Sequence, residues 1–336
     1  MKPQVSLIMP YFKDVETVVE TIDSLYDTIG IENFELIVVN DGSGTGHDLP
    51  KDKIRPNMKS LKHWVNLGVG QAFDTGVAIA KSDNLILIGS DLVFLDNGWA
   101  KRMIAVNDKH PKAVICAACG STKSDNVYYG ADIMLYVENK NLSDGHPMKG
   151  KKEYRSMLEG KWRPRTSRGV YQIPSLMGAF YGVKREWYNK ISGFELHYQW
   201  GNLEPYISLK SWRMGGEVLV DSDNKALHIF DRINPNKVGN EKRREAKWDV
   251  VIYNQLMIAA TVFGIYGIKF ARYLEHMNNS SWNNASEMYM DKKDSINWFA
   301  RYYHEEAEMT PKELEDKIIE LSYHYKQEGC EYEIYS

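Results

Sequence analysis

The stretch Leu85-Ile86-Leu87-Ile88-Gly89-Ser90-Asp91-Leu92-Val93-Phe94-Leu95 is apolar almost throughout, breaks at a single carboxylate, and then resumes. A strand buried on both faces of a parallel sheet reads this way, because neither side of its pleat meets water. Open α/β sheets bind their ligands just outside the carboxyl ends of such strands. Asp91 is therefore the first candidate functional residue, set against the plainer reading of a turn aspartate ahead of Asp96-Asn97-Gly98-Trp99.

The chain on either side supplies the rest of an α/β pattern. Residues 5–9 read as a short buried strand broken by Pro10-Tyr11, and Val15, Val18, Val19, Ile22, Leu25 and Tyr26 then recur at helical spacing. Residues 34–40 form a second strand that runs into Asp41-Gly42-Ser43-Gly44-Thr45-Gly46, where small residues let backbone N–H groups approach a ligand. The spacing is not GxGxxG and no lysine follows as in a phosphate loop, so neither of those nucleotide-binding designs is supported. Asn66-Leu67-Gly68-Val69-Gly70 opens a further helix through about Lys81. Strands alternating with helices of this length predict an α/β fold, a mostly parallel sheet flanked by helices, with chemistry at the strand ends after Met9, Val39 and Ile88.

With 336 residues and 43% hydrophobic content the chain can bury a sizeable core, as one large domain or two moderate ones. A net charge of −3 offers no global attraction to nucleic acid or an anionic membrane, so such a partner would need a local patch. One is available: Lys149, Lys151, Lys152, Arg155, Lys161, Arg163, Arg165 and Arg168 are interleaved with Tyr154, Trp162 and Tyr171. Guanidinium forks beside aromatic faces can hold an anionic acceptor, and a solvated basic loop is the other reading. The chain enters a strand pattern directly after Met1-Lys2-Pro3-Gln4, which predicts a cytoplasmic protein without a signal peptide. Cys116 and Cys119 form a CxxC with no second pair or nearby histidine, and read as small buried hydrophobes in a reducing compartment rather than as zinc ligands. Residues 250–268 are apolar and uncharged for nineteen positions, yet Asn254, Gln255, Gly264 and Gly267 favour a helix packed on the protein over a transmembrane span. An amphipathic helix follows at residues 311–325.

Four segments then carry a resemblance: residues 5–11, Val38-Val39-Asn40-Asp41-Gly42-Ser43, Asn66-x-Gly68 through Ala72 and Gly76, and the strand end at Asp91 occur in the order used by family-2-like glycosyltransferases of GT-A fold. Asn40 stands where those enzymes carry the first of two acids, and Gly89-Ser90-Asp91 keeps only the last Asp of their DxD. Residues 173–183, Gly193-Phe194, Trp200-Gly201-Asn202-Leu203-Glu204 and Ala226-Leu227-His228-Ile229-Phe230 are similar to the acceptor-side motifs of polypeptide GalNAc-transferases and of galactosyltransferases with a Trp-Gly-Gly-Glu-Asp motif. The resemblance spans residues 4 to 232. It implies a glycosyltransferase domain at residues 1–232, with an acceptor-side insertion at 121–172, followed at 233–336 by a mobile basic loop and a helical C-terminal appendage.

The resemblance also implies roles. Asp91 and His228 would hold a divalent metal, Mn²⁺ in preference to Mg²⁺ because imidazole is a less natural partner for the harder ion. Glu204 falls on the catalytic base of the inverting galactosyltransferases, whereas the retaining GalNAc-transferases have Asn there; a glutamate that only steadies a helix N-terminus is the plainer role. Pro10, Tyr11, Asp41, Gly42, Asn66, Gly68 and Arg232 would face a nucleoside-diphosphate sugar, and Trp200, Gly178, Arg163, Arg165 and Arg168 the acceptor, a glycan or a modified nucleic acid. The expected activity is metal-dependent transfer of a sugar, from a UDP-sugar, to an acceptor hydroxyl with inversion. The alternatives are a retaining enzyme, including one that modifies a DNA base, and an inactive glycan- or nucleotide-binding module.

Overall fold

The computed structural model describes residues 2–135, 137–138, 152–153, 158–178, 180–229, 248–267 and 279–324. Its first part alternates strand and helix: β1 (Val5–Tyr11), α1 (Val15–Thr28), β2 (Phe34–Asn40), β3 (Met58–Lys62), α2 (Val69–Ile79), β4 (Asn84–Ile88), β5 (Leu92–Phe94), α3 (Trp99–Lys109) and β6 (Ala113–Ser121). β1 lies between β2 and β4 and is parallel to both, and β3 extends the sheet in parallel beyond β2.

The insertion contributes short pieces, β7 (Val127–Tyr128), β8 (Ala131–Met134), β9 (Val137–Glu138), β10 (Lys152–Glu153), β11 (Glu159–Trp162) and β12 (Val170–Gln172). The chain then re-enters the sheet as β13 (Phe180–Lys184), continues through α4 (Arg185–Lys190) and α5 (Leu203–Arg213), and closes it with β14 (Glu217–His228). Here the sheet departs from the mostly parallel expectation. β13 slots antiparallel between β4 and β6, because it returns from the insertion and not through a crossover helix. β14 runs parallel to β6, and β5 and β12 add to β14 in antiparallel fashion, so the sheet is mixed.

The near-continuous apolar runs have a simple cause. Along β4, Leu85 and Leu87 join the core on one face while Ile86 and Ile88 join the core on the other; β1, β6 and β13 alternate in the same way. Val18, Ile22 and Leu25 of α1 and Trp99 and Met103 of α3 cover one face. α2 and α5 cover the other, and α2 comes so close to β1 that a Cβ at Gly76 would stand 2.3 Å from the Ile8 Cγ2.

After β14 the described chain is helical: α6 (Trp248–Ile258), α7 (Asn279–Asp291), α8 (Lys293–Glu305) and α9 (Pro311–Leu321), the last opened by a capping box on Thr310. Trp248–Gly267 is long and apolar enough to cross a membrane, but 78% of its most apolar window is buried within the protein. Tyr253, Met257, Ile296, Tyr303, Leu314 and Ile318 share one core with α5 and the sheet. The C-terminal helices are thus part of the same hydrophobic interior as the strands that precede them.

Candidate active site

The strand expected to end at Asp91 ends at Ile88, and a second short strand begins at Leu92, so Gly89-Ser90-Asp91 forms the break between them. β4 ends at Ile88, whereas β5 leaves it to pair with the end of β14, placing Leu92 opposite His228. The Ile229 N–H donates to the Asp91 carbonyl at 2.8 Å, which locks the two segments in register. In consequence His228 Nε2 stands 3.3 Å from Asp91 Oδ2, with both side chains partly open to solvent.

Two ligands bound to one ion at right angles with bonds of about 2.1 Å lie about 3 Å apart, so this spacing fits two neighbouring positions of an octahedral cation. A carboxylate oxygen with an imidazole nitrogen also suits Mn²⁺. Among the described residues no cluster of three or more His, Cys, Asp or Glu is poised to hold a metal. An ion held by Asp91 and His228 would need its other ligands from outside this pair.

Glu204 occupies the first turn of α5, after Asn202 in the left-handed conformation. Its Oε1 accepts a 2.7 Å hydrogen bond from the Tyr181 hydroxyl of β13. Burial pushes its carboxyl above the usual glutamate range, while the Tyr181 hydrogen bond and the nearby His228 work against that rise. The same burial, reinforced by Glu204, raises Tyr181 well above an ordinary phenol and keeps it a donor. Gly178 makes room for this pair: a Cβ there would lie 2.7 Å from Glu204 Oε1 and 3.1 Å from the Tyr181 hydroxyl. Tyr181 was not singled out in the sequence, where it stands only as one residue of the acceptor-side motif at 173–183.

Asp41 directly follows β2 and is almost wholly buried. Its Oδ1 accepts from Leu67 N–H at 2.9 Å and meets His63 Nδ1 at 2.9 Å; its Oδ2 accepts from Asn66 Nδ2 at 2.7 Å and Gly68 N–H at 2.9 Å. Both oxygens are thus committed to the chain itself, which narrows the expectation of Asp41 as a direct donor contact to that of a loop builder. Gly42 and Gly68 have positive φ, and a Cβ on either would meet backbone at 2.3 Å, Val65 for the first and Gln199 for the second. Asn40, in place of an acid, binds Asp48, the His47 carbonyl and the Ser43 N–H, and the Tyr11 hydroxyl also reaches the His47 carbonyl. Pro10 and Tyr11 are buried in β1, so they support this loop from below.

Because Gly68 bridges to Gln199, the donor-side loop leans on the turn that leads into α5. That turn is strained: Ser192, Leu196, Gln199 and Asn202 all have positive φ. Lys210, fully buried, donates to the Ser192 and Gly193 carbonyls, and Gln71 of α2 donates to those of Phe194 and His197. Asp74 of α2 accepts from the Phe194 N–H at 3.0 Å and the Tyr188 hydroxyl at 2.5 Å. Burial raises the Asp74 carboxyl and lowers the Lys210 ammonium, the opposing effects expected of two charges taken out of water. Trp200, at the crest of the turn, is 59% exposed.

The basic segment does not join this site as expected. Arg163 is buried and faces inward, 3.3 Å from Asp132 of β8, and donates to the Leu321 carbonyl and Thr166. Arg165 is spent on Ser222 and Asp223 in the bulge of β14 and on the face of Tyr129. β12 meets β14 at Leu219–Asp221, the half of that strand away from His228. The reading of Arg163 as an acceptor ligand is corrected accordingly; Arg165 is exposed but paired, and Arg168 is exposed without such anchoring partners among the described residues. Arg232, Lys149, Lys151, Tyr154 and Arg155, and the basic loop after His228, lie outside the described residues.

The sequence profile of the family described as "Glycosyl transferase family 2" matches residues 6–191, more than half of the chain. The chain belongs to glycosyl transferase family 2. Polypeptide N-acetylgalactosaminyltransferase 11 of Xenopus tropicalis is 20% identical over 245 residues, covering 69% of this chain and 39% of the relative. Polypeptide N-acetylgalactosaminyltransferase 8 of Drosophila melanogaster is 22% identical over 296 residues, covering 85% and 48% respectively. The chain therefore spans about half or less of the length of these relatives. Among solved structures, that of GalNAc-T7 with UDP, GalNAc and Mn²⁺ superposes with a TM-score of 0.60 at 15% identity, covering 86% of this chain and 55% of that one. That likeness establishes the shared GT-A fold, and this member of the family departs from the Trp-Gly-Gly-Glu-Asp pattern by carrying Leu203 where the first acid would be.

Proposed function

We propose that this family 2 protein transfers a sugar from a UDP-sugar to an acceptor hydroxyl with a divalent cation, Mn²⁺ in preference to Mg²⁺, and with inversion at the anomeric carbon. The observation that carries the proposal is the Asp91–His228 pair, 3.3 Å apart at the strand ends with the buried carboxyl of Glu204 beside it. Asp91 and His228 would hold the ion, with phosphate oxygens and water filling its other positions. A cation there supplies Lewis-acid stabilisation of the charge that develops on the departing diphosphate. Glu204 takes the proton from the acceptor hydroxyl as the new glycosidic bond forms and the bond to the diphosphate breaks. Its carboxyl, raised by burial, is a stronger base than an exposed glutamate, and the Tyr181 hydroxyl orients it.

On the acceptor side the exposed ring of Trp200 offers a face for a glycan. The burial of Arg163 against Asp132 and the pairing of Arg165 with Asp223 weaken the support for a nucleic-acid acceptor. A retaining course is the second reading, favoured by the hold of Tyr181 on Glu204, which suits a positioning role as well as a basic one. A cytoplasmic setting is supported by the free, buried thiols of Cys116 and Cys119.

The test is release of UDP from UDP-GalNAc, UDP-GlcNAc, UDP-Gal and UDP-Glc, with Mn²⁺ and with chelator. Mn²⁺-dependent release from at least one is expected, and no release from any would favour an inactive binding module. Product anomers read by NMR decide between inversion and retention.

A further inference from the structure

We propose that Asn254 is a positioning residue for the transfer reaction, holding the turn Trp200-Gly201-Asn202 so that Glu204 meets the reacting hydroxyl. The inference rests on Glu204 as base. Every backbone carbonyl of residues 190–201 except that of Gln199 receives a side-chain donor, so the path of this segment is imposed on it from outside. A segment with three non-glycine residues at positive φ, Ser192, Leu196 and Gln199, does not hold such a path by its own preferences.

The division of labour along the segment is uneven. At its start, Tyr302 and Tyr303 of α8 donate to the Lys190 and Ile191 carbonyls at 2.8 and 3.0 Å. In the middle Tyr253 of α6 donates to the Leu196 carbonyl at 3.0 Å. At the end next to the base, Asn254 does nearly everything. Its Nδ2 is within reach of the carbonyls of Tyr198 at 3.0 Å, Trp200 at 3.3 Å and Gly201 at 3.1 Å, and its Oδ1 accepts from the Tyr198 N–H at 3.0 Å.

Asn254 has no exposed surface, so the amide cannot exchange these partners for water. His197 adds one bond from within, with Nε2 2.7 Å from the Gly201 carbonyl; burial lowers its pKa to about 4, so it acts as a neutral donor. Gly201, at φ +101°, lies against α6 itself, where an added Cβ would be 3.1 Å from a Val251 methyl. Three residues later comes Glu204. The C-terminal helices therefore reach the reaction centre through the backbone that carries the base.

The experiment compares Asn254→Ser, Gly201→Ala, Tyr302→Phe and Glu204→Gln by Mn²⁺-supported hydrolysis of the UDP-sugars of the panel, with UDP affinity by calorimetry and thermal midpoints alongside. Asn254→Ser should lower kcat by about 10- to 100-fold, the scale of a misplaced reacting group, with UDP affinity within twofold. Gly201→Ala disturbs the same turn without touching the amide and should give the same split. It decides the matter if Asn254→Ser is not recovered as folded protein. Tyr302→Phe, at the far end of the segment, should lower the midpoint and leave kcat unchanged. If Glu204→Gln loses turnover while Asn254→Ser and Gly201→Ala keep it, the positioning inference is overturned. If Glu204→Gln keeps turnover, the reading of Glu204 as base is what fails.

Discussion

Two of the carboxylate–histidine pairs among the described residues, Asp91 with His228 and Asp132 with His324, stand in opposite surroundings. Asp91 and His228 are 3.3 Å apart at the carboxyl ends of the sheet, with side chains 35% and 17% exposed. Asp132 and His324 are 2.6 Å apart with Asp132 wholly buried, and Arg163 completes that set from the other side. The first pair keeps part of its surface in solvent, the access that a cation would need. The second is closed by its own neighbours and ties the insertion to the C-terminal end of the described chain. Residue types do not separate a ligand site from a structural clamp; the access left around them does.

Glu204→Gln on the open side of the comparison should produce the largest effect, a loss of roughly 10²- to 10⁴-fold in turnover with UDP affinity preserved. Steady-state kinetics beside calorimetry would check it, and loss of UDP binding in the variant would place Glu204 on the donor side. On the closed side, Arg163→Met takes the guanidinium from the buried Asp132, leaving that carboxylate to His324, and should cost up to about 3–5 kcal/mol of stability, read from urea unfolding. Turnover per folded molecule should stay as it was. Reduced acceptor use at unchanged stability would instead assign Arg163 to the acceptor surface.

Acidity sharpens the comparison further. If Glu204 is the base it must be ionised, and burial holds its carboxyl above the ordinary value of 4.5, so the acidic limb of kcat/KM should fall above that pH. The Tyr181 hydroxyl donates to the carboxylate and favours the charged form. Tyr181→Phe removes that help and should move the limb to still higher pH; a shift downward would contradict the assignment. Arg168→Gln should do least, within about 0.5 kcal/mol of stability, because Arg168 is exposed and unanchored.

Much of the frame was legible in the residues. Apolar runs such as residues 85–88 gave buried strands, and the break at Asp91 gave a strand end, because burial on both faces leaves a pattern that a single sequence displays. The antiparallel entry of β13 was hidden, since Phe180–Lys184 looks the same whichever way it runs between its neighbours. The pairing of Asp91 with His228 came from a resemblance; no spacing rule joins residues so far apart in the chain. Basic residues misled for the opposite reason. Arg163 looked solvated because its partner, Asp132, is brought opposite only by the pairing of β8 with β11. His63 and Tyr181 went unnoticed because each matters through one hydrogen bond to a residue the fold delivers, Asp41 in one case and Glu204 in the other. Asn254 was seen only as a polar break in an apolar helix.

The most direct test of the open pair is a calorimetric titration of UDP into wild-type protein and into Asp91→Asn, each with Mn²⁺ and with chelator. The account predicts that Mn²⁺ tightens UDP binding to the wild type and that this gain disappears in Asp91→Asn, while the thermal midpoint of the variant stays near that of the wild type. An equal Mn²⁺ gain in both proteins would contradict it and return Asp91 to the rank of an ordinary turn aspartate.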